Sequence, residues 1–129
     1  MKPLFVLVDL QQDYLKSPQL DPAAGSVVDG AAALLAQARA QAVPVAHVWT
    51  TVTRDPDNRM AHWKREGLWQ CEAGTEGHAP PASLVPRQGE PIVHKSGFST
   101  PDIAAFVAGL GRDTVVVAGV KTHACVRQL

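Results

Sequence analysis

The residues with the clearest chemical potential are an acid, a lysine and a cysteine that each lie near the end of a strand-like segment. Asp9 lies in "PLFVLVDL", Lys95 ends "PIVHK", and Cys125 follows "TVVVAGV" after a short polar turn. A carboxylate can take the proton of a thiol and later return it to a leaving group. A cationic lysine and the start of a helix both stabilise a thiolate, so we expect a lowered pKa for the Cys125 thiol. The three side chains together predict a cysteine nucleophile.

The turn at residues 119–122 adds a second element of such chemistry, because it can direct backbone N–H groups at a developing oxyanion. Each residue alone also has an ordinary role. An aspartate at a strand end forms turns, a lysine there is usually solvated, and a cysteine after a strand is often a small buried hydrophobe. The alternative to an enzyme is therefore a non-catalytic α/β binding or interaction module, including an inactive truncated pseudoenzyme.

Four apolar segments predict the strands that position these residues, and they span residues 3–10, 43–52, 91–95 and 114–120. Between them, apolar residues at helical spacing predict one helix with Ser26 as N-cap and another opened by Thr100 and Pro101. Alternating strands and helices predict an α/β fold with three α-β-α layers and a mostly parallel sheet, formed by a single domain over residues 1–129. Ligands in such folds bind beyond the carboxyl ends of the strands.

Composition excludes several other classes of protein. The 129 residues fit one domain, and 12 basic residues balance 12 acidic ones, so neither a nucleic acid nor an anionic membrane is an expected partner. The N-terminal apolar run is too short to span a bilayer and lacks a signal-peptide cleavage pattern. Two cysteines make no disulfide framework. We predict a cytoplasmic protein with free thiols.

A long segment at residues 53–89 is rich in proline, glycine and charged residues. It is longer than a loop that only connects two elements of a compact domain. It is predicted to form a lid or pocket wall. The alternative is that its tryptophans only pack against the rest of the domain. The candidate substrate-binding residues come from this segment and from the stretch after Asp9: Gln12, Tyr14, Arg59, His62, Trp63 and Trp69.

Three motifs in the same order resemble the cysteine hydrolase (amidohydrolase) branch of the isochorismatase-like superfamily: "VDLQQDY", "HKSGFS" and "GVKTHACV". The resemblance covers nearly the whole chain. It implies a sheet-centred α/β fold and a catalytic triad of Asp9, Lys95 and Cys125. It also implies a cis peptide between Val120 and Lys121, and an oxyanion hole formed by the backbone N–H groups of Lys121 and Cys125.

The resemblance further implies hydrolysis of a small amide, ureido group or related C–N bond through a thioester. Isochorismatases proper lack the cysteine, so Cys125 argues against vinyl-ether hydrolysis. Homo-oligomers are common in this branch, and we expect one here. Members continue well beyond the cysteine, so we expect this chain to be the front portion of a longer domain.

No metal or other cofactor is predicted. Asp55, Asp57 and His62 have side chains of types that bind metals. The Asp-x-His motif of metal-binding nicotinamidases is absent from the sequence, however, and carboxylates in loops are usually solvated.

Overall fold

The computed structural model describes residues 1–97, 103–127 and 129. Within them, four parallel strands form one sheet in the order β3–β2–β1–β4. The strands are β1 (Pro3–Val8), β2 (Val45–Thr50), β3 (Ile92–Lys95) and β4 (Thr114–Gly119). The predicted helix start at Thr100 and Pro101 lies outside the described residues.

The described residues also form four α-helices: α1 (Gln12–Leu15), α2 (Ala24–Ala40), α3 (Ala61–Glu66) and α4 (Ile103–Gly109). Short 3₁₀ turns span Glu76–His78 and Ala82–Leu84, and a π-helical turn spans Thr122–Val126. The prediction of Ser26 as the N-cap of α2 is wrong, because Ala23 caps that helix with its backbone and no side chain. None of the helices described here is long and apolar enough to cross a bilayer.

Successive side chains of β1 point to opposite faces of the sheet, which produces the predicted three layers. Phe5 and Leu7 pack in one apolar cluster with Leu35 of α2. On the other face, Val6 packs in a second cluster with Val107 of α4. A strand buried on both faces needs apolar residues at every position, and β1 has them.

The register of the parallel strands brings their carboxyl ends to one edge of the sheet. Val8 of β1 pairs with Gly119 of β4 on one side. Thr50, which ends β2, pairs with Lys95, which ends β3. The residues that follow these strand ends therefore face a common site.

The long segment at residues 53–89 packs against the body of the domain. Trp63, Cys71 and Leu84 are buried and join the same apolar cluster as α2. A parallel bridge between Val52 and Glu72 ties the segment to the end of β2. The segment is thus built into the fold around the carboxyl end of the sheet.

Candidate active site

Asp9 is the first residue beyond β1 and is completely buried. Its backbone has a φ of 55°, a left-handed conformation that aspartate tolerates better than most residues. Carboxylate oxygen Oδ1 accepts two hydrogen bonds of 3.0 Å, from the backbone N–H and from the hydroxyl of Thr50. The other oxygen, Oδ2, lies 2.9 Å from Nζ of Lys95. The carboxylate is therefore held from two sides.

Lys95 ends β3 and keeps its ammonium group inside the protein, with only 1% of the side chain exposed. Besides the ion pair with Asp9, its Nζ donates to the carbonyl oxygen of Gly97 at 2.6 Å and to Oγ1 of Thr50 at 3.4 Å. Burying a charge is costly unless a partner and hydrogen bonds compensate for the lost water, and Lys95 has both.

The contact between Asp9 and Lys95 is short, but its angles are not those of a hydrogen bond. Although the two atoms are 2.9 Å apart, Oδ2 receives no hydrogen bond of good geometry from any described residue. The short distance establishes the ion pair. The poor direction leaves a lone pair of Oδ2 available to another proton.

The turn after β4 brings Cys125 to this edge of the sheet. Gly119 lies so close to the backbone of Val8 that a Cβ atom there would collide with it. The next peptide bond, between Val120 and Lys121, is cis, as the resemblance implies. Cys125 then sits in the π-helical turn, 4% exposed. Within this turn the carbonyl oxygen of Lys121 accepts hydrogen bonds from the N–H groups of Ala124 and Val126.

The electrostatics of the Cys125 thiol correct the prediction of a lowered pKa. Burial, followed by the charge and the hydrogen bond of Asp9, raises the pKa to about 11. Lys95 and a backbone hydrogen bond from Lys121 act in the opposite direction but do not outweigh these effects. The cysteine is thus a neutral thiol at rest, next to a carboxylate that can take its proton.

Two buried polar residues of the site escaped the sequence analysis. Thr50 connects Asp9 to Tyr14, whose phenol donates to Oγ1 of Thr50 at 3.0 Å. Gln11 accepts the Thr50 N–H at 2.9 Å and donates to the Thr50 carbonyl oxygen at 2.8 Å. Thr50 lies at a predicted strand end, which was the available signal. For Gln11, the adjacent Gln12 was selected instead.

The candidate substrate-binding residues occupy two places. Tyr14 and Trp63 are buried beside the site, with ring centroids 6.2 Å apart. Arg59 lies over the ring of Trp69 at 3.6 Å and binds the carboxylate of Asp57 through two nitrogens. The Arg59 group therefore forms a cluster of its own in the long segment.

The other two candidates have different surroundings. His62 lies next to Trp63, with ring centroids 5.6 Å apart. Gln12 begins α1, and its N–H donates to the carbonyl oxygen of Ala79.

The residues weighed as metal ligands do not form a ligand set. Asp57 is bound by the side chain and the backbone of Arg59, and the hydrogen bonds from Arg59 lower its pKa to about 2. In the part of the chain that the structure describes, no group of three or more His, Cys, Asp or Glu side chains is arranged to hold a metal ion.

Two cavities border the carboxyl edge of the sheet. One of about 410 Å³ is lined by the turn at Gly119, Val120 and Lys121. The other, of about 570 Å³, is lined by Thr51, Lys95 and neighbouring residues. Each has the volume of a small-molecule site.

Taken together, the fold and site define a three-layer α/β protein with an aspartate, a lysine and a cysteine gathered at one edge of a parallel sheet. The isochorismatase domain model matches residues 3–129, and the chain belongs to this family.

Known proteins of the family match along almost the whole chain. It is 31% identical to maleamate amidohydrolase from Pseudomonas putida, with 98% of the chain and 62% of that protein aligned. An isochorismatase family protein from Desulfovibrio vulgaris has 30% identity and a TM-score of 0.84, over 98% of this chain and 71% of the other. N-carbamoylsarcosine amidase from Thermoplasma acidophilum shares the fold, with 24% identity and a TM-score of 0.79, over 99% and 73%. The chain thus spans about three fifths of the curated relative.

Proposed function

We propose that this protein is a cysteine-dependent hydrolase of a small amide or related C–N bond and that it acts through a thioester. The observation that carries the proposal is the buried ion pair of Asp9 and Lys95 beside the neutral thiol of Cys125. The 31% identity to an amidohydrolase supports amide-type substrates. Cytoplasmic location and homo-oligomeric assembly stay predictions.

In the first half of the reaction, Asp9 takes the thiol proton while the Cys125 sulfur attacks the carbonyl carbon. The carbonyl oxygen becomes an oxyanion, and the N–H groups of Lys121 and Cys125 stabilise it. When the tetrahedral intermediate collapses, the C–N bond breaks, and Asp9 returns the proton to the leaving nitrogen. The products are an amine or ammonia and a thioester on Cys125.

In the second half, water attacks the thioester while Asp9 takes one of its protons. Collapse of this second intermediate breaks the C–S bond and releases the carboxylic acid, and the proton returns to the sulfur. Lys95 transfers no proton in this scheme. Because its charge lowers the pKa of the thiol, it makes the thiolate easier to form.

The substrate is expected to lie over Cys125 in a space bounded by the cavities at the sheet edge. Tyr14 and Trp63 are its proposed apolar wall from within the domain. Gln12, His62, Arg59 and Trp69 are proposed to line the outer part.

A panel of small primary amides and ureido compounds, including maleamate, tests the proposal by ammonia release. We expect at least one of them to be hydrolysed, and Cys125→Ala to abolish the activity while the far-UV circular dichroism stays unchanged. Cys71→Ala is the matched control, because Cys71 is a free thiol outside the triad. Equal turnover by Cys125→Ala would contradict the mechanism. No turnover across the panel would favour a non-catalytic binding module.

A further inference from the structure

Thr50 donates two hydrogen bonds to the carboxylate of Asp9, and both reach the same oxygen. The backbone N–H and the hydroxyl of Thr50 each lie 3.0 Å from Oδ1. Oδ2 remains without a directed hydrogen bond from any described residue, although Lys95 lies 2.9 Å away. The two oxygens of this carboxylate are therefore in different environments.

The direction of the Thr50 hydroxyl is fixed by its neighbours. A carboxylate only accepts hydrogen bonds, so the hydroxyl must donate to Asp9. The oxygen of that hydroxyl accepts from the phenol of Tyr14 at 3.0 Å. Burial, followed by the charge of Asp9, strongly raises the pKa of Tyr14, which keeps the phenol protonated and able to donate. Hydrogen bonds in this chain are therefore donated in one direction, from Tyr14 to Thr50 and from Thr50 to Asp9.

The backbone of Thr50 is also fixed in place. Beyond the end of β1, the side-chain amide of Gln11 hydrogen-bonds the backbone of Thr50, as a neighbouring strand would. Its oxygen shares the Thr50 N–H with Oδ1 of Asp9, and its nitrogen donates to the carbonyl oxygens of Thr50 and His78. Because Gln11 and Thr50 are completely buried, water does not compete for these bonds.

We propose that Thr50 is a positioning residue, which holds Oδ1 of Asp9 with two hydrogen bonds and so reserves Oδ2 to exchange the proton of Cys125. This role rests on the proposed function, since it assigns the base of that reaction to one oxygen. Thr50 itself does not touch the reacting atoms.

Charged and titratable groups face Asp9 from every element around it. Lys95 lies at the end of β3, Tyr14 on α1, Cys71 in the long segment and Cys125 in the π-helical turn. Burial, followed by the charge of Asp13, raises the pKa of Cys71 far above its usual value, so this thiol stays neutral. Cys71 therefore contributes no charge near neutral pH.

The test is the pH dependence of Cys125 alkylation by iodoacetamide, with the modified thiol identified by peptide mass mapping. This reaction needs no substrate. We expect its rate to fall at acidic pH, because the sulfur reacts only after Asp9 has taken its proton. In Thr50→Val the carboxylate loses one donor that stabilises its charge. This fall should therefore occur about one pH unit higher.

Three further variants make the test specific. Thr114→Val removes a hydroxyl at the start of β4, at the opposite end of the sheet, which donates to Asp113, and it should leave the profile unchanged. Thr50→Ser keeps the hydroxyl and should restore the wild-type profile. Tyr14→Phe should shift the profile in the same direction by less, and it serves as the second variant if Thr50→Val does not fold.

Turnover provides the second readout. With an amide substrate, Thr50→Val should lower kcat about tenfold and change KM less than twofold, since Thr50 is completely buried and lines neither cavity at the sheet edge. If Thr50→Val or Tyr14→Phe folds and keeps the wild-type alkylation profile, the positioning role is wrong even if amides are hydrolysed. If the profile shifts but no amide is hydrolysed, the proposed function fails and the positioning role stands.

Discussion

Removing the charge of Lys95 should destabilise the fold strongly, because it leaves the carboxylate of Asp9 buried without a cation. The two groups are 2.9 Å apart, and at most 1% of either side chain is exposed. At an effective dielectric constant of 20, charges at this distance attract by about 6 kcal/mol. Breaking such pairs in proteins typically costs 3–5 kcal/mol. We expect Lys95→Met to lower the free energy of unfolding by about 3–5 kcal/mol.

A double-mutant cycle in urea measures this directly. Asp9→Asn keeps an oxygen that can accept from Thr50 but removes the charge. The double variant Asp9→Asn/Lys95→Met should therefore be more stable than Lys95→Met alone, with a coupling of at least about 2 kcal/mol. Single effects that add to within about 0.5 kcal/mol would refute the view that each charge is held in the protein by the other.

Three other properties of the protein can be tested by a single substitution or by chemical modification. Burial would raise the pKa of Glu90, but hydrogen bonds led by that from Arg39 lower it to about 2 from the usual 4.5. A lowered carboxylate pKa contributes stability that is present above pH 4.5 and lost as the pH falls toward 2, so Arg39→Met should flatten the acid limb of a urea stability profile. Gly77→Ala should cost about 1–2 kcal/mol by thermal unfolding, because the new methyl group would displace the carboxylate of Asp13, which accepts the N–H of buried Cys71; an unchanged melting temperature would contradict this. In the native protein iodoacetamide should modify Cys125 well before Cys71, whose pKa burial raises further, and equal rates by mass mapping would argue against an activated Cys125.

The sequence predicted the parallel sheet and the meeting of Asp9 with Lys95 at its carboxyl edge well, because both follow from local patterns. Continuous apolar runs identify buried parallel strands, and the ends of parallel strands must meet at one edge. Alternation of side chains along β3 accounts for the exposure of His94 next to the buried Lys95.

The remaining features depend on contacts between residues far apart in the chain. The roles of Thr50 and Gln11 come from hydrogen bonds across the carboxyl edge of the sheet, and a position near a strand end does not by itself reveal these bonds. The thiol pKa was predicted in the wrong direction because the sequence reveals nearby charges but not the extent of burial. In α2, the helix begins before Ser26, since a backbone cap at Ala23 needs no capping side chain.

Rapid acid quenching followed by intact-protein mass spectrometry tests the central claim most directly. The protein is mixed with an amide that it hydrolyses, stopped within the first turnover, and digested to locate any adduct. The mechanism predicts a mass increase equal to the acyl group of the substrate, located on Cys125 and absent from Cys125→Ala. Hydrolysis of the same amide at an equal rate by Cys125→Ala, with no adduct on Cys125 in the wild-type protein, would contradict it.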